Sequence, residues 1–318
     1  MAIFQFGPII KSKREELGYT QEELADGICS VPTLSRIENG DRMPTREHFE
    51  MLLQRLGYSD TMLDNFVDER QLHLHELKFQ IRQEIMLNHL EKAKMLLSQY
   101  VQDIPSPSNI ERQFILMCDT MVNTASYTPQ QRLEIFESAI KVTYPKYEDG
   151  KLPKVISFEE IILLNNIAVS YSQMGNAEEA IRILYGLKVY YEHHVVNPEE
   201  ILRTQPMILY NLSKCLGSSG RFDECIEIAD QGIRIARETG RCTYMQGLLY
   251  NRAWSLVRRK RDGDLEAART SAIQAYQLAV IMERGYSVEL YKKFLRNNFP
   301  DVSICAITPF HFPVWSMT

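Results

Sequence analysis

The chain has 318 residues, 45% of them hydrophobic, with 36 Lys/Arg against 41 Asp/Glu and a formal net charge of −5. That length suffices for a small domain and a larger one, each with its own core, and the net acidity excludes a general coat of cations for nucleic acid. No apolar run approaches the ~18 residues of a membrane-spanning helix.

The start, MAIFQFGPIIKSKREELG, has no basic segment before an apolar core, so no secretory signal is expected. Six cysteines (Cys29, Cys118, Cys215, Cys225, Cys242, Cys305) lie far apart without a CxxC pair. They read as reduced, mostly buried thiols of a cytoplasmic protein. Helix signals dominate throughout and strand signals are nearly absent.

Residues 1–66 carry seven Lys/Arg and eleven Asp/Glu, a net −4. Any DNA binding by this segment must come from charge placed on one face, with dimerisation adding affinity. Five short helices are predicted between residue 5 and about 66. In the stretch TQEELADGICSVPTLSRIENG (20–40), Thr20 and Glu23 form a start box for a short helix whose Leu24 and Ala25 face inward. Asp26-Gly27 and the break at Cys29-Ser30 permit a tight turn. A second short helix is predicted over residues 31–39, started by Pro32, with Leu34 and Ile37 on the buried face. Pro32, Thr33, Ser35 and Arg36 are then left on outward positions. Two short helices joined by a tight turn project the second into the major groove of DNA.

These residues resemble the Cro/CI-like helix-turn-helix family over about residues 6–66. Ile10, Arg14 and Gly18 in the first helix, TQEELA, SRIENG and Pro44-Thr45 carry the likeness, with a turn one residue shorter than the commonest pattern. The resemblance implies that Gln21 bonds a phosphate while Thr33 and Arg36 read bases. The candidate DNA-binding set is Gln21, Pro32, Thr33, Ser35, Arg36, Asn39 and Arg42. It also implies a buried structural pair, Arg14 with Glu38, since a buried charge needs its partner. The plainer alternatives are a solvated Arg36, an ordinary helix residue at Gln21, and surface charges at 14 and 38.

From about residue 67 the helices lengthen and come in pairs. Start boxes stand at Thr128-Pro-Gln-Gln131 and Ser157-Phe-Glu-Glu160, and Asn197-Pro198 adds a cap with proline at the first helical position. Residues 102–109 and 144–154 read as loops. Asn166-Ile-Ala-x-x-Tyr171-x-x-x-Gly175 and Asn211-Leu-Ser-x-x-Leu216-x-x-x-Gly220 match in spacing, with Ala180 and Cys225 fourteen residues after each asparagine. Asn251-Arg-Ala-x-x-Leu256 begins a third copy with a longer turn. Small residues let antiparallel helices approach, and glycine turns the chain.

The spacing resembles the tetratricopeptide repeat, lengthened to about 40–45 residues. Five pairs are predicted, those at about 70–101 and 109–143 fitting more loosely, plus a final helix near 286–297. The fold class expected is all-α: a five-helix head followed by an α-solenoid with an inner groove. The domains expected are 1–66, 67–300 and an apolar tail over 301–318. In tetratricopeptide folds the position of Asn166, Asn211 and Asn251 points into the groove, where an amide can pair with the backbone of an extended peptide. Lys214, Trp254 and Arg258 are the neighbouring inward candidates, suited to carboxylates and apolar side chains. The alternative is that the asparagines only bond adjacent helices.

The whole chain resembles the peptide-sensing quorum regulators of Gram-positive bacteria, the Rgg/PlcR/PrgX (RRNPP) group, and the short turn ICSVPTLSRIENG favours that group over generic repressors. The resemblance implies a non-enzymatic transcriptional regulator without cofactor, homodimeric through its repeats. It would bind double-stranded DNA at a palindromic operator and a short signalling peptide. A protein-binding adaptor acting on a response regulator, or a ligand-independent phage-type repressor, are the competing readings.

His73 and His75 are two apart, so a helix points them to different faces and no metal site is expected. His193-His194 is expected at an exposed helix end. The tail SICAITPFHFPVWSMT has no charged side chain and carries Phe310, Phe312 and Trp315. It is expected to pack on the last repeat or a partner subunit, or to lie at the groove as a lid.

Overall fold

A computed structural model describes residues 6–57, 69–148, 151–193 and 198–308, and the described residues are helices and connecting turns. The head contributes α1 (Phe6–Glu16), α2 (Gln21–Ala25), α3 (Val31–Glu38) and α4 (Arg46–Arg55). Local chemistry starts each of the last three. The Thr20 hydroxyl accepts from Glu23 N while the Glu23 carboxylate accepts from Thr20 N, and Ser30 and Thr45 accept from Thr33 N and His48 N. Each cap satisfies a backbone N–H that the helix leaves orphaned, a contribution of about 1 kcal/mol.

Ile10, Leu24, Leu34, Ile37 and Leu52 are fully buried between these helices. The closest approach is at Gly7, where a Cβ would lie 1.9 Å from the Ile37 carbonyl oxygen. α1 therefore rests on the backbone of α3. Asn39, expected inside α3, is its C-cap. The fifth head helix expected from the sequence falls in 58–68, outside the described residues, as do Asn197 and residues 309–318.

The longer helices follow as pairs: α5 (Glu69–Leu87) with α6 (Leu90–Asp103), α7 (Asn109–Val122) with α8 (Pro129–Thr143), and α9 (Phe158–Gln173) with α10 (Ala177–His193). Then come α11 (Pro198–Ser218) and α12 (Phe222–Thr239), α13 (Met245–Arg259) and α14 (Asp264–Ile281), and α15 (Gly285–Asn298). The boxes at Thr128 and Ser157 form as expected. A further box, Ser108 with Glu111, starts α7 at Asn109 and shortens the loop predicted over 102–109. Gly175 and Gly220 turn the chain at φ 84° and 77°, a region open to glycine without strain. Ala180 and Cys225, fourteen residues after the repeat asparagines, are fully buried, as is Ala268 in the third copy.

The chain divides into two compact units, one ending at Ile201 and the other beginning at Leu202. In the first, the head and the three following helix pairs are continuous: Ile110 of α7 and Val155 before α9 belong to the head's own apolar cluster. In the second, a four-residue helix α16 (Ile304–Ile307) lies within the tail. Gln277 Nε2 donates to Ile307 O at 3.1 Å, and the Tyr276 and Thr308 hydroxyls lie 3.0 Å apart, so this part of the tail packs on α14. No helix among the described residues is long and apolar enough to cross a membrane.

Candidate functional sites

α3 is amphipathic within eight residues. Leu34, Ile37 and Glu38 are buried, whereas Pro32 and Arg36 are exposed and Thr33 and Ser35 half-buried. Asn39 and Arg42, just beyond the helix, are also exposed. The backbone N–H groups of Asp41 and Arg42 both donate to Arg36 O (2.8 and 3.1 Å), which folds the segment after α3 back toward it. The structure thus places Pro32, Thr33, Ser35, Arg36, Asn39 and Arg42 on the helix and its C-terminal turn. Thr33 is partly engaged, its hydroxyl 2.9 Å from that of Ser30.

Behind this face lies the Arg14–Glu38 pair. Arg14 Nε and Nη2 donate to the two Glu38 carboxylate oxygens at 2.6 and 3.0 Å, and Nη1 donates to Tyr19 O at 2.8 Å. The hydrogen bonds from Arg14 to Glu38 raise the arginine's pKa further above its ordinary value. The Glu38 side chain has no exposed surface. Gln21 Nε2 is the third donor to Glu38, at 2.8 Å. Its side chain links α2 to α3, and it is only half-buried.

The turn between α2 and α3 faces the first repeats across a cleft of about 650 Å³. Lys146 Nζ reaches Asp26 Oδ1 at 2.6 Å and Lys154 Nζ reaches Glu23 Oε1 at 3.4 Å. Both lysines are exposed, so water and salt screen these pairs and they add little to stability. Arg55, at the floor of the cleft, is the residue that sequence reasoning passed over. Nothing in the pattern REHFEMLLQR distinguishes a buried arginine at a helix end from a surface one.

In the second unit, Tyr250, Trp254 and Arg258 stand at i, i+4 and i+8 on one face of α13. The Arg258 guanidinium carbon is 3.4 Å from the centre of the Trp254 ring, a close cation–π contact. Burial lowers the arginine's pKa. Trp254 meets Phe222 edge-on at 6.1 Å, and Tyr250 stacks on Tyr291 of α15 at 4.6 Å. Tyr210 of α11 lies against Tyr244 at 5.8 Å and covers Gly247, where a Cβ would lie 2.4 Å from the ring. Tyr286 is exposed, and Tyr291 is pushed up mainly by burial and then by the neighbouring Tyr210 phenol. Of this aromatic patch the sequence pointed only to Trp254; Tyr210, Tyr244, Tyr250 and Tyr291 were not singled out, although the four-residue spacing of Tyr250 and Trp254 was available.

Asn251 is buried and spends its amide N–H groups on α11, donating to Tyr210 O at 3.2 Å and Ser213 Oγ at 2.9 Å. Asn211 is half-buried and Lys214, one turn on, is exposed. In the first unit, Asn166 donates to Ile162 O of its own helix at 2.8 Å and lies 3.9 Å from Met121 Sδ. For Asn166 and Asn251, then, the alternative of bonding within the helical framework has direct observations in its favour.

Residues 10–63 match a family model described as helix-turn-helix, and residues 120–298 match the model of the RNPP family C-terminal domain. A comparison with curated proteins found no match. Among solved structures, the chain is similar to Bacillus thuringiensis PlcR in complex with the peptide PapR7 and DNA. The identity is 16%, covering 92% of this chain and 99% of that one, with a TM-score of 0.58. It is also similar to the competence regulator ComR from Streptococcus vestibularis in complex with its cognate signaling peptide XIP, at 15% identity over 92% and 98% of the two chains, TM-score 0.50. At these identities the likeness concerns the fold.

Proposed function

The chain belongs to the RNPP family, and from that premise we propose that it is a sequence-specific DNA-binding transcriptional regulator whose repeat domain binds a short signalling peptide. PlcR and ComR, which it resembles in fold, were solved with such peptides. The observation that carries the DNA half is α3. It presents Pro32, Thr33, Ser35, Arg36, Asn39 and Arg42 to the outside while Glu38, Leu34 and Ile37 anchor its back. Arg36 is suited to a guanine edge, and Thr33 to either base type. The acidic head needs two copies for affinity, so the working form is proposed as a homodimer on a palindromic operator, in the cytoplasm. Residues 1–66 act as the DNA-binding domain, 67–300 as the repeat domain and 301–318 as a tail.

For the peptide, Trp254 and Arg258 form the best-supported pair: an apolar plate with a cation held against it takes an aromatic or aliphatic side chain next to a carboxylate. Lys214 supplies a second exposed cation, and Asn211 and Asn251 belong to the same candidate set, Asn251 through what its amide has left after bonding α11; Asn166, in the first unit, is a separate candidate. No catalytic role is assigned. Incubating the full chain with a synthetic library of short peptides and identifying the retained ones by mass spectrometry tests this half. Wild type should retain a defined subset that Trp254→Ala and Arg258→Ala lose; identical retention by all three would remove the pair from the site.

A further inference from the structure

Arg55 closes α4 and has 3% of its side chain exposed. Its Nη1 donates to the carbonyls of Leu24 (3.4 Å) and Asp26, the end of α2 and the first residue of the turn. Those carbonyls have no partner within so short a helix. The N–H groups of Ile28 and Cys29 both close on Ala25 O, at 2.9 and 3.0 Å. One guanidinium and one carbonyl therefore shape the turn that aims α3.

The other end of Arg55 faces the repeats. Nη2 is buried without a hydrogen bond and lies 3.8 Å from Glu160 Oε1. Glu160 belongs to the start box of α9, its Oε2 accepting from Ser157 N, and its Oε1 accepts from the Thr143 hydroxyl of α8 at 2.8 Å. Thr143 Oγ1 in turn accepts from Gln113 Nε2 of α7 at 2.6 Å. All four side chains are buried. Buried polar groups that must each keep a partner hold few arrangements, so such a chain is stiff.

We propose that Arg55 is a positioning residue for DNA reading: it sets the α2–α3 turn, and Glu160, Thr143 and Gln113 tie its pose to the first repeats. The proposal rests on the reading of α3 as the DNA-contacting helix. The gap between Nη2 and Glu160 is about 1 Å longer than a charge-assisted hydrogen bond of ~2.8 Å. A shift of α9 by that amount makes the bond or separates the pair, and α9 is also the helix that carries Asn166. Movement in the repeats thereby has a physical route to the turn without touching DNA.

The test uses the full chain and two readouts. Thr143→Val removes the hydroxyl at nearly constant shape, Glu160→Gln removes the charge, and Arg55→Lys keeps the charge but loses the two-pronged contact. Amide exchange at Ile28 and Cys29 should rise about tenfold or more in each, while α12–α14 stay as in wild type. On DNA, the preference for a duplex enriched by the wild-type chain over a random-sequence duplex should fall about tenfold, with affinity for the random duplex within twofold. Unchanged exchange at the turn in Thr143→Val and Arg55→Lys would overturn the relay. So would parallel loss of both affinities with protection lost throughout α1–α4, which signals plain unfolding. If the wild-type chain itself prefers no duplex, the DNA reading fails, and the exchange readout still decides the relay.

Discussion

Replacing Glu38 with alanine isolates the buried ion pair behind α3. Its carboxylate accepts two hydrogen bonds from Arg14 and one from Gln21, with none of its side chain exposed. Without it, Arg14 keeps the Tyr19 carbonyl and a long 3.4 Å contact to Glu15, and its charge stays in a site where 10% of the side chain meets water. Removing one member of a buried pair costs about 3–5 kcal/mol because the other is left uncompensated. Against a domain stability of about 5–15 kcal/mol this is a large share. Both tryptophans, Trp254 and Trp315, lie outside the head, so their fluorescence is blind to it and amide hydrogen exchange is the suitable assay. Protection in α1–α3 should fall by roughly a hundred- to a few thousandfold, at about 1.4 kcal/mol per tenfold. The double variant Arg14→Met/Glu38→Leu should recover most of the loss, since apolar replacement of both partners is often neutral or better. A single variant that changes exchange less than threefold, or a double variant worse than the single, would refute the assignment.

Arg36→Ala should cost about 1–3 kcal/mol on the selected duplex and relax the preference at one base position, measured by fluorescence anisotropy. Gly247→Ala drives a Cβ to 2.4 Å from Tyr210. It should destabilise the second unit by about 1–3 kcal/mol in urea unfolding followed by Trp254 fluorescence, and an unchanged midpoint would contradict the packing. The Arg259 guanidinium holds the Asp264 carboxyl down at about 2, below its ordinary 3.8. A depressed carboxyl favours the fold above its unfolded pKa, so that contribution is complete above about pH 4 and fades as the pH falls toward 2. Asp264→Asn should flatten this part of an acid-stability profile, and an identical slope would contradict the pairing.

Much of the fold was legible because its signals are local. Start boxes at Thr20, Thr128 and Ser157, glycines at 175 and 220, and small residues at 180 and 225 each act within a few residues of their position. Among the described residues one box was passed over, Ser108 with Glu111, which sits behind Pro-Ser-Pro-Ser, where loop signals dominate. The Arg14–Glu38 pair was reached only through resemblance, since 24 residues separate its members and neither differs locally from a surface charge. Arg55 had no such help, because its partners are backbone carbonyls and a glutamate 105 positions away. The asparagines show the reverse limit. Their spacing was plain, but an amide can serve a ligand or a neighbouring helix equally well, and only the folded arrangement reveals that Asn251 bonds Tyr210 and Ser213.

Selection of duplexes from a random library by the full chain, with and without a peptide retained in the library experiment, tests the central claim most directly. Wild type should enrich an inverted-repeat motif that Arg36→Ala no longer selects, and its apparent affinity should change when the peptide is added. Enrichment of no motif, or of one motif equally by wild type and Arg36→Ala regardless of peptide, would contradict that claim.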